Sequence, residues 1–234
     1  MHSPLVVTLD GPAGVGKSTL ARNVAGHLGI AYMDTGAMFR TIALGLKEHI
    51  DTAQRCLTLH GPALEAALHQ FTFALQGNGE TTTLLCNNRP VGNEIRSEEA
   101  GLMAAAVAVS PEVRTFLKAA QQALGARFSL VAEGRDMGTE VFPQAACKIF
   151  LDASPEVRAK RRFLQLQEMG SPADLPTLTA QIAQRDAQDR NRAIAPLRPA
   201  ADAVIIDTST LSLEEVFQTI FQAVQAKAPG ACPQ

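Results

Sequence analysis

Nine consecutive residues near the start of the chain can hold a polyphosphate: Gly11-Pro12-Ala13-Gly14-Val15-Gly16-Lys17-Ser18-Thr19. They match Gly-x-x-x-x-Gly-Lys-Ser, the phosphate-cradling P-loop. The glycines can take backbone angles that turn successive amides inward, and they put no side chain in an anion's way. Lys17 can reach the β- and γ-phosphates of a nucleotide, and the Ser18 hydroxyl can ligate Mg2+. The bland alternative is a glycine-rich turn. A Lys-Ser pair in register, between an apolar strand and an apolar helix, argues against it.

The second chemical group is cationic. Arg40, Arg135, Arg158, Arg161, Arg162, Arg185 and Arg192 stand in a chain whose formal net charge is −2. That balance argues against a bulk nucleic-acid binder, so any cationic site must be local. A phosphomonoester acceptor has a second pKa of about 6 and is its own nucleophile at neutral pH, needing no general base. The obstacle is then repulsion between two polyanions, which Mg2+ and several arginines relieve. The strings Asp-x-x-Gly and Asn-Lys-x-Asp, which a GTPase would need, do not occur. These points favour a nucleotide-to-phosphate kinase over a hydrolase. Local spacing leaves some readings open. Arg40, expected in the first turn of a helix, is either a solvated side chain or an anion ligand. The Arg135-Asp136 pair is either a ligand-reading loop or a local salt bridge. Arg185, Asp189 and Arg192 share a helical face at i, i+4 and i+7, as an anion site or as intrahelical ion pairs.

The elements that must position these residues follow from periodicity. A short apolar strand precedes the phosphate loop, and Leu20, Val24 and Leu28 make the buried face of the helix after it, with Gly29 as its stop. Residues 30–34 form a second strand, and Asp34 or Thr35 caps the helix carrying Phe39, Ile42, Ala43 and Leu46. From about residue 57 to 99 alternating segments and Asn/Gly turns predict a small antiparallel meander inserted between helices. Ser110-Pro111-Glu112 opens a helix whose buried face is Val113, Phe116, Leu117, Ala120 and Leu124. Residues 129–132 form a buried strand that runs into Arg135-Asp136, at the ligand edge of an open α/β sheet. Residues 147–152 form another buried strand. Ser154-Pro155-Glu156 opens a helix rich in arginine, and a break over 170–176 leads to a helix over 179–192. A last buried strand spans 203–207. A capping box at Ser212 to Glu215 then opens an amphipathic closing helix, and the tail frays from Ala226.

The fold expected is α/β: a P-loop NTPase-type parallel five-stranded sheet flanked by helices, with a small antiparallel β insertion and a helical lid. The 234 residues suffice for one domain. Its core would take about 1–56, 106–153 and 199–228, the acceptor-binding insertion about 57–105 and the lid about 154–198. No apolar run approaches the roughly 20 residues of a membrane span, and no signal peptide is evident. Cys56, Cys86, Cys147 and Cys232 are scattered and read as reduced thiols of a cytoplasmic protein.

Six blocks in series resemble the bacterial cytidylate kinase family. They are the phosphate loop, Asp34-Thr-Gly-Ala-Met-Phe-Arg40, Val91-Gly-Asn-Glu-Ile-Arg96, Glu133-Gly-Arg-Asp-Met-Gly-Thr139, Lys148-Ile-Phe-Leu-Asp-Ala153 and Arg185-Asp-x-x-Asp-Arg-x-Arg-x-x-x-Pro196. The likeness spans nearly the whole chain. It implies transfer of the γ-phosphoryl of ATP to CMP or dCMP with Mg2+ as cofactor, by a monomer with no nucleic-acid or membrane partner. It also implies site roles. Gly11 through Thr19, with Arg161, would bind ATP. Lys17, Arg135, Arg158, Arg162 and Arg192 would be catalytic, and Arg158, Arg161 and Arg162 would ride the lid. Thr35, Phe39, Arg40, Arg114, Arg135, Asp136, Arg185, Asp189 and Arg192 would bind CMP. Arg114 and Asp136 would read cytosine, which offers an N4 donor beside an N3 acceptor, whereas uracil reverses both. Two positions depart from the family pattern: Phe39 where Tyr is frequent, and Ala105 where some members carry Ser.

Overall fold

A computed structural model describes residues 3–54 and 56–229. Strand β1 (Val6–Asp10) feeds the phosphate loop and helix α1 (Lys17–Leu28), which stops on Gly29 in the left-handed conformation. Then come β2 (Ala31–Asp34) and α2 (Thr35–Gly45), capped by the Asp34 side chain, which accepts from the Ala37 amide. A two-rung ladder of β3 (Ile50–Asp51) and β4 (Cys56–Leu57) and helix α3 (Gly61–Leu68) follow; neither was foreseen. The meander is β5 (Phe73–Gln76), β6 (Thr83–Cys86) and β7 (Arg89–Pro90), antiparallel in that order. Helices α4 (Glu98–Val107) and α5 (Pro111–Arg127) lead to β8 (Leu130–Gly134) and β9 (Cys147–Asp152). The arginine-rich α6 (Pro155–Glu168) and α7 (Leu175–Asn191) precede β10 (Val204–Asp207) and α8 (Leu213–Lys227), whose Ser212–Glu215 capping box is present.

The central sheet has five parallel strands in the order β10-β9-β1-β8-β2. Successive strand residues face opposite sides, so Val7, Leu9, Val131, Ile149 and Leu151 pack with α1 and α8, whereas Leu130 and Ala132 pack with residues of α2, α4 and α5. Because β1 is central and both its neighbours are parallel, its carboxyl end opens between the carboxyl ends of β8 and β9. Ligands bind at that edge in open α/β sheets.

Three sequence expectations need correction. Helix α7 starts at Leu175, not near 179, because Asp174 caps it and Pro176 sits in the first turn, where its missing amide costs nothing. Strand β10 is an edge strand rather than a buried one: Ile206 is buried but Ile205 is 61% exposed. Arg40 lies in the second turn of α2, since the helix begins at Thr35. Among the described residues no single helix is long and apolar enough to cross a membrane. Cys56, Cys86 and Cys147 are free thiols; burial pushes the Cys147 thiol up to about 11. Cys232 and the end of the tail lie outside the described residues.

Candidate active site

The phosphate loop leaves β1 at Gly11, whose φ is +147° and where an added Cβ would lie 2.1 Å from the Leu151 carbonyl oxygen. Only glycine passes β9 that closely. Gly14 (φ +78°) and Gly16 (φ +93°) complete the turn. Gly16 is also the N-cap of α1. No side chain caps that first turn and no acidic residue stands in it, so its positive end faces the loop. Pro12 and Val15 are buried, while Ala13 is half-buried and Gly14, Ser18 and Thr19 reach solvent. Lys17 is 7% exposed and donates to the Pro12 carbonyl at 2.7 Å, closing the loop on itself. Burial, then the Arg135 charge, holds its ammonium well below the usual lysine range, with Glu133 and Asp10 opposing.

Glu133, near the end of β8, belongs to the same cradle and was not singled out by sequence reasoning. Its Oε1 accepts from the Ser18 hydroxyl and from the Tyr32 hydroxyl, each at 2.8 Å, and its carbonyl accepts from the Thr35 hydroxyl at 2.7 Å. Its Oε2 is buried with no hydrogen-bond partner among the described residues. Burial, with the Asp34 charge, raises its pKa against the opposing field of Lys17. The available signal was a carboxylate closing an apolar strand just before Gly134-Arg135-Asp136. A hydroxyl and a carboxylate with one unmet oxygen make a hard-oxygen set of the kind magnesium takes.

Beyond Gly134 the chain makes one wide turn, Met137–Val141, with i→i+5 hydrogen bonds, a distortion frequent at functional sites. Arg135 and Asp136 precede it and do not pair with each other. Arg135 Nε donates to Asp189 at 3.1 Å. Asp136, 5% exposed, accepts from Arg114 at 3.1 Å through one oxygen and from Arg192 at 3.3 Å through the other. Burial raises its pKa, and the two guanidiniums oppose that rise. So of the two readings of Arg135-Asp136, the local salt bridge is excluded. A cavity of about 200 Å3 opens beside the Asp136–Arg114 pair, lined also by Phe39, Gln121, Ile194 and Ala195. The Arg114 guanidinium lies 5.7 Å from the Phe39 ring centroid. Ala105 is exposed on α4 and is not among that lining.

Arg40 donates to the Ile95 carbonyl at 3.0 Å, which ties α2 to the turn after the meander. Arg185 is exposed on α7, near Arg135 and Arg40, with Asp189 and Asp186 offsetting their charge. Arg192 does not extend the helical face of Arg185 and Asp189: it is the C-cap of α7, with extended backbone. It returns to Asp136 and sits 4.0 Å from Asp189, so the three meet through a chain reversal and not through helical spacing.

The arginines of α6 differ sharply. Arg158 is 1% exposed and fully engaged: it pairs with Asp186 on α7 and donates to the Ala153 carbonyl at 2.9 Å and the Ala13 carbonyl at 3.0 Å. It therefore pins α6 and α7 to each other and to the phosphate loop. Expected as a catalytic arginine closing over ATP, it is instead taken up by protein groups, because its stem lies inward, toward the loop. Arg161 donates to Thr208 after β10, and Arg162 is exposed without an ion pair among the described residues. Asp186, the partner of Arg158, was missed because its helical neighbours gave no sign of the contact.

A parallel sheet with a phosphate loop at its central strand, and a cluster of arginines facing that loop, defines a P-loop nucleotide-binding protein. Residues 7–226 match the family model for cytidylate kinase. The cytidylate kinase of Nitratidesulfovibrio vulgaris strain Hildenborough is 56% identical over 227 residues, covering 95% of this chain and 93% of that protein. Those of Lawsonia intracellularis and Vibrio cholerae El Tor are 43% and 42% identical, with at least 96% of each chain covered. A solved structure, TT1252 from Thermus thermophilus, shares the fold at a TM-score of 0.50 and 18% identity, over 98% of this chain and all of that one. The chain belongs to the cytidylate kinase family.

Proposed function

We propose that this chain transfers the γ-phosphoryl group of ATP to CMP or dCMP, giving ADP and CDP or dCDP. The observation that carries the reading is a juxtaposition at one sheet edge. The phosphate loop at the end of β1 stands near the buried Arg114–Asp136 pair and its cavity, and Arg135, just beyond the end of β8, acts by its charge on both Lys17 and Asp136. ATP would lie in the loop of Gly11 through Thr19, with Lys17 leaving Pro12 for the transferred phosphoryl. Arg40, Arg135, Arg185 and Arg192 would grip the acceptor phosphate, and Asp189 would hold Arg135 and meet the sugar. Thr35 and Phe39 would line the acceptor's path. Asp136 would accept from cytosine N4 and Arg114 would donate to N3 and O2. Arg161 and Arg162 would approach ATP from the lid, and Arg158 would keep the lid registered on the loop.

Magnesium fits here. The Ser18 hydroxyl would ligate it directly and Glu133, with its unmet Oε2, through water. When bound, it would neutralise charge on the phosphates and hold them in line. The residues themselves position and neutralise: the acceptor phosphate attacks as its own dianion, and the arginines remove the repulsion that would keep the two anions apart. We take the enzyme to act in the cytoplasm as a monomer, on soluble nucleotide substrates.

The test is ADP release with Mg-ATP against a panel of nucleoside monophosphates. CMP and dCMP should give the highest kcat/KM. Equal or better use of UMP would make this a kinase for another monophosphate, and binding of ATP with no turnover on any acceptor would make it a regulatory module. A second expectation concerns the lid. Helices α6 and α7 bury only Ala159 besides the Arg158–Asp186 anchor, so away from that anchor they should open locally at low cost. Amide hydrogen exchange across them is expected to slow when both nucleotides bind; equal protection with and without ligand would remove the lid.

A further inference from the structure

Asp10 is the last residue of β1, next to the phosphate loop, and its carboxylate reaches the turn that follows Asp136. It is 4% exposed. One oxygen accepts from the Met137 amide at 2.9 Å and the other from the Gly138 amide at 2.8 Å. Those are the first two amides of the wide turn that follows Asp136. A helical turn leaves its first amides without partners inside the turn, so Asp10 caps this one from another strand. The fit is close: a Cβ on Gly138 would lie 3.0 Å from the Thr8 hydroxyl, 3.3 Å from the Lys148 side chain and 3.4 Å from the Asp10 carboxylate. The turn is thus held against β1 by two charge-assisted hydrogen bonds and by the absence of a side chain at Gly138.

We propose that Asp10 is a positioning residue for base selection: it fixes the height of the turn so that the Asp136 carboxylate meets the base edge in register. This rests on the reading of Asp136 as the group that accepts from cytosine N4. Asp10 is not among the residues assigned to either nucleotide, since both its oxygens are taken by backbone amides. Its effect is carried through two backbone amides next to Asp136, in the chain segment that also holds Arg135. The consequence is that selectivity among pyrimidine acceptors depends on a residue of the ATP-binding strand. Burial raises the Asp10 pKa to about 6, against the two amide hydrogen bonds that lower it, which leaves the group ionised and able to accept from both amides at neutral pH.

The experiment is steady-state kinetics of wild type, Asp10→Asn and Gly138→Ala on CMP and on UMP at saturating Mg-ATP, with the KM for ATP measured in parallel. Asn keeps one acceptor oxygen but presents an amide N–H to the other backbone amide. The CMP/UMP ratio of kcat/KM is expected to fall about tenfold, on the scale of one lost hydrogen bond, with the KM for ATP unchanged within about threefold. Gly138→Ala presses the same turn against the Thr8 hydroxyl and the Lys148 side chain, beside the Asp10 carboxylate and without altering its charge, and is expected to lower the ratio in the same direction. It also decides the matter if Asp10→Asn does not fold. An unchanged ratio in folded variants, or a raised KM for ATP with the ratio intact, would overturn the proposal. A wild type that does not prefer CMP would instead refute the reading of Asp136, before either variant is considered.

Discussion

Replacing Lys17 by alanine is expected to lower turnover by about two to three orders of magnitude, the usual cost of removing one preorganised donor from a developing charge. The fold is expected to survive. An ammonium this buried is a burden on the native state: its pKa lies below its ordinary 10.5 because burial disfavours the charged form. The unfolded chain therefore binds that proton more tightly. The penalty is full below the depressed value and is relieved as pH rises through it towards 10.5. Lys17→Ala should thus melt no lower than wild type at neutral pH while turning over far more slowly. Single-turnover rates by rapid quench, paired with thermal denaturation, test both halves. A rate within a few-fold of wild type would mean that Lys17 does no more than close the loop through its bond to Pro12.

The second large effect is expected at Asp136. Changing it to asparagine keeps the shape and exchanges one acceptor oxygen for a donor amide. The amide can rotate to offer its oxygen to cytosine N4 or its nitrogen to uracil O4, so discrimination should shrink and not invert. A bidentate base contact is worth ~1–3 kcal/mol, roughly 5- to 150-fold, and the CMP/UMP ratio of kcat/KM should fall by that factor. The structure adds a cost. Both Asp136 oxygens are engaged by arginines, one by Arg114 and one by Arg192, so the amide nitrogen must face a guanidinium that cannot accept from it. Turnover on CMP should therefore fall together with selectivity, while Mg-ATP affinity stays. Equal loss on every acceptor, with the ratio intact, would leave Asp136 as an anchor for the two arginines and move base recognition elsewhere.

The sheet was legible because its strands are short apolar runs that end in turn signals, and the phosphate loop because its glycines, Lys17 and Ser18 are contiguous. Helix starts at Ser110, Ser154 and Ser212 were legible because capping is a local interaction, complete within four residues. The pairings that build the site are not local. Ser18 meets Glu133, Asp10 meets the amides of Met137 and Gly138, and Arg158 meets Asp186. No spacing rule brings together residues so far apart in the chain. Arg192 illustrates the reverse error: its i+7 position from Arg185 suggested a shared helical face, but α7 ends at Asn191 and the contact is made by a different backbone route. Edge and centre were likewise indistinguishable for β10, since Val-Ile-Ile-Asp reads the same in either place.

The strand order has a bearing on how the chain is made. Val6 pairs with Leu130 and Val7 with Cys147, so the first strand to be synthesised has both its neighbours far downstream. Strand β2 fares little better, since its sheet partner is β8. Until Gly134 has left the ribosome the N-terminal apolar segments have no strand to pair with, and β1 gains its second neighbour only with Asp152. The high separation of these contacts raises the entropy of closing the nucleus and slows the search for it. The phosphate loop is translated among the first residues and becomes a loop with a fixed shape among the last.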